Sequence, residues 1–129
     1  MNARDQLTIA AISRGSREAF VALFDRTYVA IRAELALGLP DVDEARPVFA
    51  ATYVEVWWLA GCHSGPEVDA MEWIRRILHR RIAEVDRNVK QRSRTPAAAS
   101  NVAVDPRPNC AELELAALLR RPVGRWQPN

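Results

Sequence analysis

The stretch Met71-Glu-Trp-Ile-Arg-Arg-Ile-Leu-His-Arg-Arg-Ile-Ala-Glu-Val-Asp-Arg-Asn-Val-Lys-Gln-Arg-Ser-Arg94 decides the reading of this chain. On a helical wheel at about 100° per residue, with Arg75 at zero, Met71, Ile74, Leu78, Ile82, Val85 and Val89 fall between about 260° and 340°. On the same wheel Arg75, Arg76, His79, Arg80, Arg87, Lys90 and Arg94 fall between zero and about 140°. One face is a core stripe and its neighbour is almost purely cationic. A helix from about Glu67 to Arg92 accounts for both. Asp69 and Glu72 then sit in its first turns, where the macrodipole favours acids. Thr95-Pro96 stops it, because the residue before proline avoids the helical region.

Within this helix only Glu84 and Asp86 interrupt the cations, so i,i+4 pairing relieves little of their repulsion. The pattern predicts an anionic partner and salt-sensitive binding. Charge along the chain points the same way. Residues 1–72 carry 6 basic and 11 acidic side chains, residues 73–94 carry 8 and 2, and residues 95–129 carry 4 and 3, for a net charge of +2. One basic segment on an acidic body is the footprint of a polyanion-binding surface. Of the 18 basic residues 17 are arginine, whose planar fork grips phosphate and stacks on bases. Trp73 lies at the edge of the stripe. Trp57, Trp58 and His63 precede or enter the loop before it. Cations beside exposed aromatics suit unstacked bases. Trp57 reads as core, whereas Trp58 and Trp73 are balanced between core and surface.

Outward from this helix the periodicity stays helical. A short segment from Leu7 to Ser13 stops at Arg14-Gly15. Ser16 is a candidate N-cap for a long helix to Gly38 with Phe20, Leu23, Phe24, Thr27, Tyr28, Ile31 and Leu35 on one face. Gly38-Leu39-Pro40 ends it. A third helix is expected from Pro47 to about Ala60, since proline suits a first turn. It buries Val48, Phe49, Thr52, Tyr53, Val56 and Trp57. Residues 95–110 read as a Pro- and Ala-rich linker. A last helix from Ala111 to Arg121 carries Leu113, Leu115, Ala116, Leu118 and Leu119, and is expected to fold back on the bundle, with Trp126 beyond it. The expected fold is all-α, a bundle of about four helices over residues 1–94 with a loosely attached, flexible C-terminal segment over 95–129.

Several classes are excluded or disfavoured. With 129 residues, 49% of them apolar, the chain suits one domain. No apolar run approaches the ~20 residues of a membrane span. The N-terminus lacks a signal-peptide pattern. Two cysteines, Cys62 and Cys110, do not make a disulfide scaffold. A cytoplasmic location without membrane contact follows as the expectation. His63 and His79 have no paired carboxylates, Cys62-His63 has no second ligand pair at finger spacing, and no Gly-rich phosphate loop is present. Catalysis, a cofactor and a bound metal are therefore not expected.

Residues 16–94 resemble the second conserved region of bacterial sigma factors of the extracytoplasmic-function group. Arg17-Glu18-Ala19-Phe20-Val21-Ala22-Leu23-Phe24 is similar to that group's opening. Asp43-Glu44-Ala45 stands before the helix that meets polymerase, Tyr53-Val54-Glu55-Val56-Trp57 resembles a Phe-x-x-x-Trp motif, and Trp73-Ile74-Arg75-Arg76-Ile77 resembles Trp-Leu-x-x-Ile. The resemblance implies a domain that docks on the clamp helices of RNA polymerase core and helps open promoter DNA at the −10 element. A non-template base would be flipped into a pocket beside the loop at residues 59–68. It implies DNA contacts at His63, Trp73, Arg75, Arg76, His79, Arg80, Arg87 and Lys90, and a partner surface on the third helix at Arg46, Ala50, Ala51, Val54 and Glu55. The chain departs from the pattern at Arg46 and Pro47, where the family has acids, at Ala50, where it has glutamine, and at Arg80 and Glu84. The family's fourth region, which reads the −35 element, has no counterpart in the 35 residues after Arg94. These departures leave a second expectation, an interaction module on a sigma-like scaffold that occupies an anti-sigma factor or another regulator.

Overall fold

The computed structural model of the chain describes residues 3–62, 69–94 and 110–122, with side chains placed for 5–61, 69–87 and 110–122. The elements are α1 (Ala3–Ser13), α2 (Arg17–Gly38), α3 (Val42–Leu59) with a 3₁₀ turn at Ala60–Cys62, α4 (Ala70–Arg94) and α5 (Cys110–Leu119). The described residues thus form five helices and no strand, four of them within residues 1–94 as expected and the fifth the expected last helix. No helix among them is long and apolar enough to cross a membrane.

α1 starts four residues before the expected Leu7. It ends at Gly15, whose φ of 91° lets the amides of Gly15 and Ser16 donate to the carbonyls of Ile12 and Ala11 at 2.9 and 3.0 Å. Glycine enters that left-handed region without a steric penalty. Ser16 caps α2, its hydroxyl accepting from the Ala19 amide at 3.2 Å. Phe20, Leu23, Phe24, Thr27, Ile31 and Leu35 are all buried along α2, as their spacing predicts. Gly38 matters for closeness to α4. A Cβ there would stand 3.0 Å from the Ile82 side chain, so α2 and α4 meet where one of them has no side chain.

α3 begins at Val42, five residues before the expected Pro47. Asp41 caps it by accepting from the Asp43 amide at 2.9 Å, and Asp43 and Glu44 fill the acidic first turn. Pro47 lies inside the helix and forgoes one backbone bond. α3 buries Val48, Phe49, Ala50, Thr52, Tyr53 and Val56, because it packs on α2, α4 and α5 at once.

The core is built on aromatics. Phe24 stacks on Tyr28 at 5.6 Å and takes the edges of Phe49 and Tyr53 at 5.9 and 4.7 Å. The hydroxyl of the fully buried Tyr53 lies 2.7 Å from that of Thr27, which also donates to the Leu23 carbonyl at 2.9 Å. Burial pushes the Tyr53 pKa well above that of a free phenol, although the Thr27 contact opposes this. Above about pH 10 the unfolded chain releases a proton that the native state keeps, so stability is expected to fall with rising pH, by up to ~1.4 kcal/mol per pH unit. Tyr53→Phe should flatten this limb in urea titrations between about pH 9 and 11. An unchanged slope would assign it to other groups.

Asp5 joins the first helix to two others. One carboxylate oxygen accepts the Ala70 amide at the start of α4 at 3.1 Å, and the other pairs with Arg26 of α2 at 3.4 Å. Asp5→Ala is expected to cost about 1–3 kcal/mol by removing a cap and leaving a buried amide unpaired. Urea midpoints measure this, and a loss below about 0.5 kcal/mol would show that water replaces the carboxylate.

The C-terminal helix is part of this core, as the expected fold-back of a last helix requires, and α5 itself is therefore not loosely attached; the rest of the linker expected at 95–110, and Trp126, lie outside the described residues. Leu115, Leu118 and Leu119 are buried with the leucines and phenylalanines of α2 and α3. Their i,i+3,i+4 spacing builds one apolar face that needs cover.

Candidate nucleic-acid interface

α4 starts at Ala70, three residues after the expected Glu67, so that Asp69, expected in the first turn, stands before the helix as its cap. Asp69 precedes the helix, and its Oδ1 accepts the amides of Met71 and Glu72 at 3.0 and 3.3 Å. Ile74, Ile77 and Leu78 are buried, and Met71, Ile82 and Val85 pack against the core. Arg75, Arg76, His79, Arg80 and Arg87 all face solvent. The two-stripe reading of α4 therefore holds for the described side chains. Lys90 lies in α4 with its side chain outside those described, and His63, with most of the loop at 59–68, lies outside the described residues.

The cations are not unrelieved, which corrects the sequence expectation. Glu34 of α2 accepts from Arg75 Nε at 3.0 Å and meets His79 Nε2 at 3.1 Å. Arg76 pairs with Glu72 one turn back at 2.8 Å. Glu55 of α3 is held by both Arg80 and Arg81. Residues 73–94 carry a net +6, and the three answering carboxylates bring the surface to +3. A wheel drawn for one helix cannot see acids on its neighbours. Exposed pairs of this kind are worth only ~0–1 kcal/mol each, so a phosphate can replace a carboxylate at little cost. Among the described residues Arg87 makes no ion pair, unlike Arg75, Arg76, His79 and Arg80 of the same stripe.

Arg81, which the two-stripe reading left out, belongs to the seam between α3 and α4. It is half-buried, bonds Glu55 at 3.0 Å, and its Nε is buried without a hydrogen-bond partner. Of the tryptophans, Trp57 packs edge-on against Phe20 at 5.5 Å, and Trp73 is half-buried against the core. Trp58 is 64% exposed, with its indole N–H donating to Glu114 of α5 at 2.8 Å. Among the described tryptophans Trp58 is thus the exposed one.

The expected partner surface on α3 divides in two. Ala50 is fully buried and cannot present itself to a partner, which corrects its assignment to an exposed side. Val54 packs against the core and Ala51 is half-buried. Glu55 is tied to α4. Arg46 pairs at 3.3 Å with Glu112 of α5, a carboxylate itself almost wholly buried. The reason is α5, which crosses α3 between Arg46 and Trp58. Arg121 then fastens the end of α5 to α2 by two parallel bonds to Asp25, at 2.8 and 3.0 Å, and lies 5.9 Å over the Phe24 ring. The Asp25 carboxylate raises the Arg121 pKa further. An open cleft of about 800 Å³ beside this junction is lined by Arg17, Glu18, Asp25, Trp57 and Arg120, among others. Its charges are mixed and do not converge on one point.

No family model, curated protein or solved structure matches this chain.

Proposed function

We propose that this chain is a sigma-like transcription-initiation domain in which α4 follows the backbone of promoter −10 DNA and α3 meets RNA polymerase core. The observation that carries the reading is α4. It is a 25-residue helix that buries isoleucines and a leucine on one side and turns Arg75, Arg76, His79, Arg80 and Arg87 to solvent on the other. A surface that keeps net positive charge after its own carboxylates are counted attracts a polyanion and releases counterions on binding. The exposed Trp58 supplies a face on which an unstacked base can lie. Such a domain acts by binding and performs no covalent chemistry.

The test is fluorescence anisotropy with single-stranded −10 oligonucleotides, with and without polymerase core, across a salt series. Affinity that falls linearly with log salt, depends on base sequence and rises with core supports the reading. One observation favours a second reading. The α3 face expected to meet polymerase is covered by α5, as an interaction module for an anti-sigma factor or other regulator would allow. A folded sample that binds no DNA in either condition would favour that module.

A further inference from the structure

We infer that Glu34 of α2 and Glu55 of α3 occupy two phosphate subsites on α4, so that the helix admits a strand of phosphodiesters in preference to a lone phosphate. The inference deepens the reading of α4 as a nucleic-acid interface and rests on it for the class of ligand. Each carboxylate commits both of its oxygens to α4. Glu34 Oε2 accepts from Arg75 Nε at 3.0 Å, and its Oε1 lies 3.1 Å from His79 Nε2. Glu55 meets Arg80 through Oε2, and accepts from Arg81 Nη2 through Oε1 at 3.0 Å. In both places two nitrogen groups of α4 converge on one two-oxygen anion that a neighbouring helix supplies. The two non-ester oxygens of a phosphodiester offer the same pair of acceptors. The second subsite has a donor to spare. Both Glu55 oxygens are engaged, and Arg81 Nε–H is buried without an acceptor. Arg81 thus joins Arg80 as a phosphate ligand, although it lies off the cationic stripe.

Tethering makes the two carboxylates selective. A group fixed to the same fold competes at an effective concentration of about 1 mM or more, so a lone phosphate displaces it poorly. A strand that has seated one phosphate presents the next at a comparable effective concentration, and it gains counterion release as well. The displaced glutamates stay beside the strand and repel it. Each should lower affinity by roughly threefold, the worth of an exposed pair. Glu72 differs from them, since it belongs to α4 itself and holds only Arg76.

The experiment compares the full wild-type chain with the double variant Glu34→Gln, Glu55→Gln. The probe is fluorescein-labelled oligo-dT of about 16 nucleotides, without polymerase, across a salt series. The double variant should bind about tenfold more tightly, with a salt slope steeper by about one. Glu34→Gln alone leaves the α3–α4 seam intact and should gain about threefold. Glu18→Gln with Glu44→Gln removes the same charge from two exposed acids that form no ion pair among the described residues. These acids lie about 24 and 16 Å along α2 and α3 from Glu34 and Glu55, beyond the screening length of ~10 Å at 0.1 M salt. Their removal should gain less than about twofold. An equal gain from this pair would assign the effect to net charge and overturn the proposal, and so would glutamine variants that bind no tighter than the wild-type chain. Side-chain NMR of the wild-type chain gives a direct measure. The Nε–H signals of Arg75 and Arg81 should move when oligo-dT is added and stay in place with about 1 mM inorganic phosphate. Signals that ignore the strand, or that answer phosphate equally, would overturn the proposal. Oligo-dT carries no −10 sequence and core is absent, so the subsites can stand where sequence-dependent binding fails. The wild-type chain can equally bind −10 DNA where the glutamine variants gain nothing.

Discussion

Phe24→Ala is expected to lower the stability of this domain by about 3–5 kcal/mol. The ring is fully buried and joins three elements at once. It stacks on Tyr28 within α2, receives Phe49 and Tyr53 from α3, and lies under the guanidinium of Arg121 beyond α5. Truncation removes the transfer energy of the ring and leaves a cavity walled by side chains from different helices, which cannot all move inward together. Each aromatic pair contributes about 0.5–1.5 kcal/mol beyond its area, and the substitution removes three of them. For a chain of this size the melting temperature should fall by on the order of 10–20 °C. Phe24→Leu keeps most of the volume and should cost less than half as much. Thermal and urea unfolding of both variants test the point. A loss below about 1.5 kcal/mol for the alanine variant would show that the neighbours collapse into the space.

The second large effect concerns binding. Reversing Arg76 and Arg87 together to glutamate is expected to weaken binding to single-stranded −10 DNA on the order of 100-fold near 0.1 M salt and to reduce the salt slope by about two. These two positions are chosen because the fold scarcely uses them. Arg76 is held only by Glu72 in an exposed i,i+4 pair, worth about 0.3–0.5 kcal/mol, and Arg87 makes no ion pair among the described residues. Arg80 is unsuitable, since a glutamate there would face Glu55 and disturb the α3–α4 seam. Unfolding midpoints should therefore stay within about 1 kcal/mol of the wild-type chain. If DNA affinity is unchanged in the double variant, the stripe is only a solvated face and the proposed function fails at its main support.

Much of the bundle is legible in the sequence, for local reasons. Ser16 and the three–four spacing from Phe20 to Leu35 contain everything that places α2. The start of α3 is harder to read, because Pro47 invites a first-turn reading whereas Asp41 with Asp43 and Glu44 forms the stronger start signal. The interface is less legible, because its electrostatics are tertiary. Glu34 and Glu55 lie 41 and 25 residues before the arginines they meet, and nothing in the α4 pattern announces them. The same holds for Ala50. Its burial depends on how neighbouring helices cover a face of α3, and the leucine spacing of α5 says that this helix must dock without saying where.

The position of α5 in the chain adds a matter of timing. A growing polypeptide completes α4 before α5 exists, and 25 residues separate Arg94 from Leu119. Synthesis at about 5–20 residues per second fills that interval in roughly 1–5 s. During those seconds Arg46 has no Glu112 beside it, and the apolar surface that Leu115, Leu118 and Leu119 cover in the finished fold stands open. A nascent copy thus shows water an apolar face that a finished one hides, and crowded synthesis exposes many such faces at once.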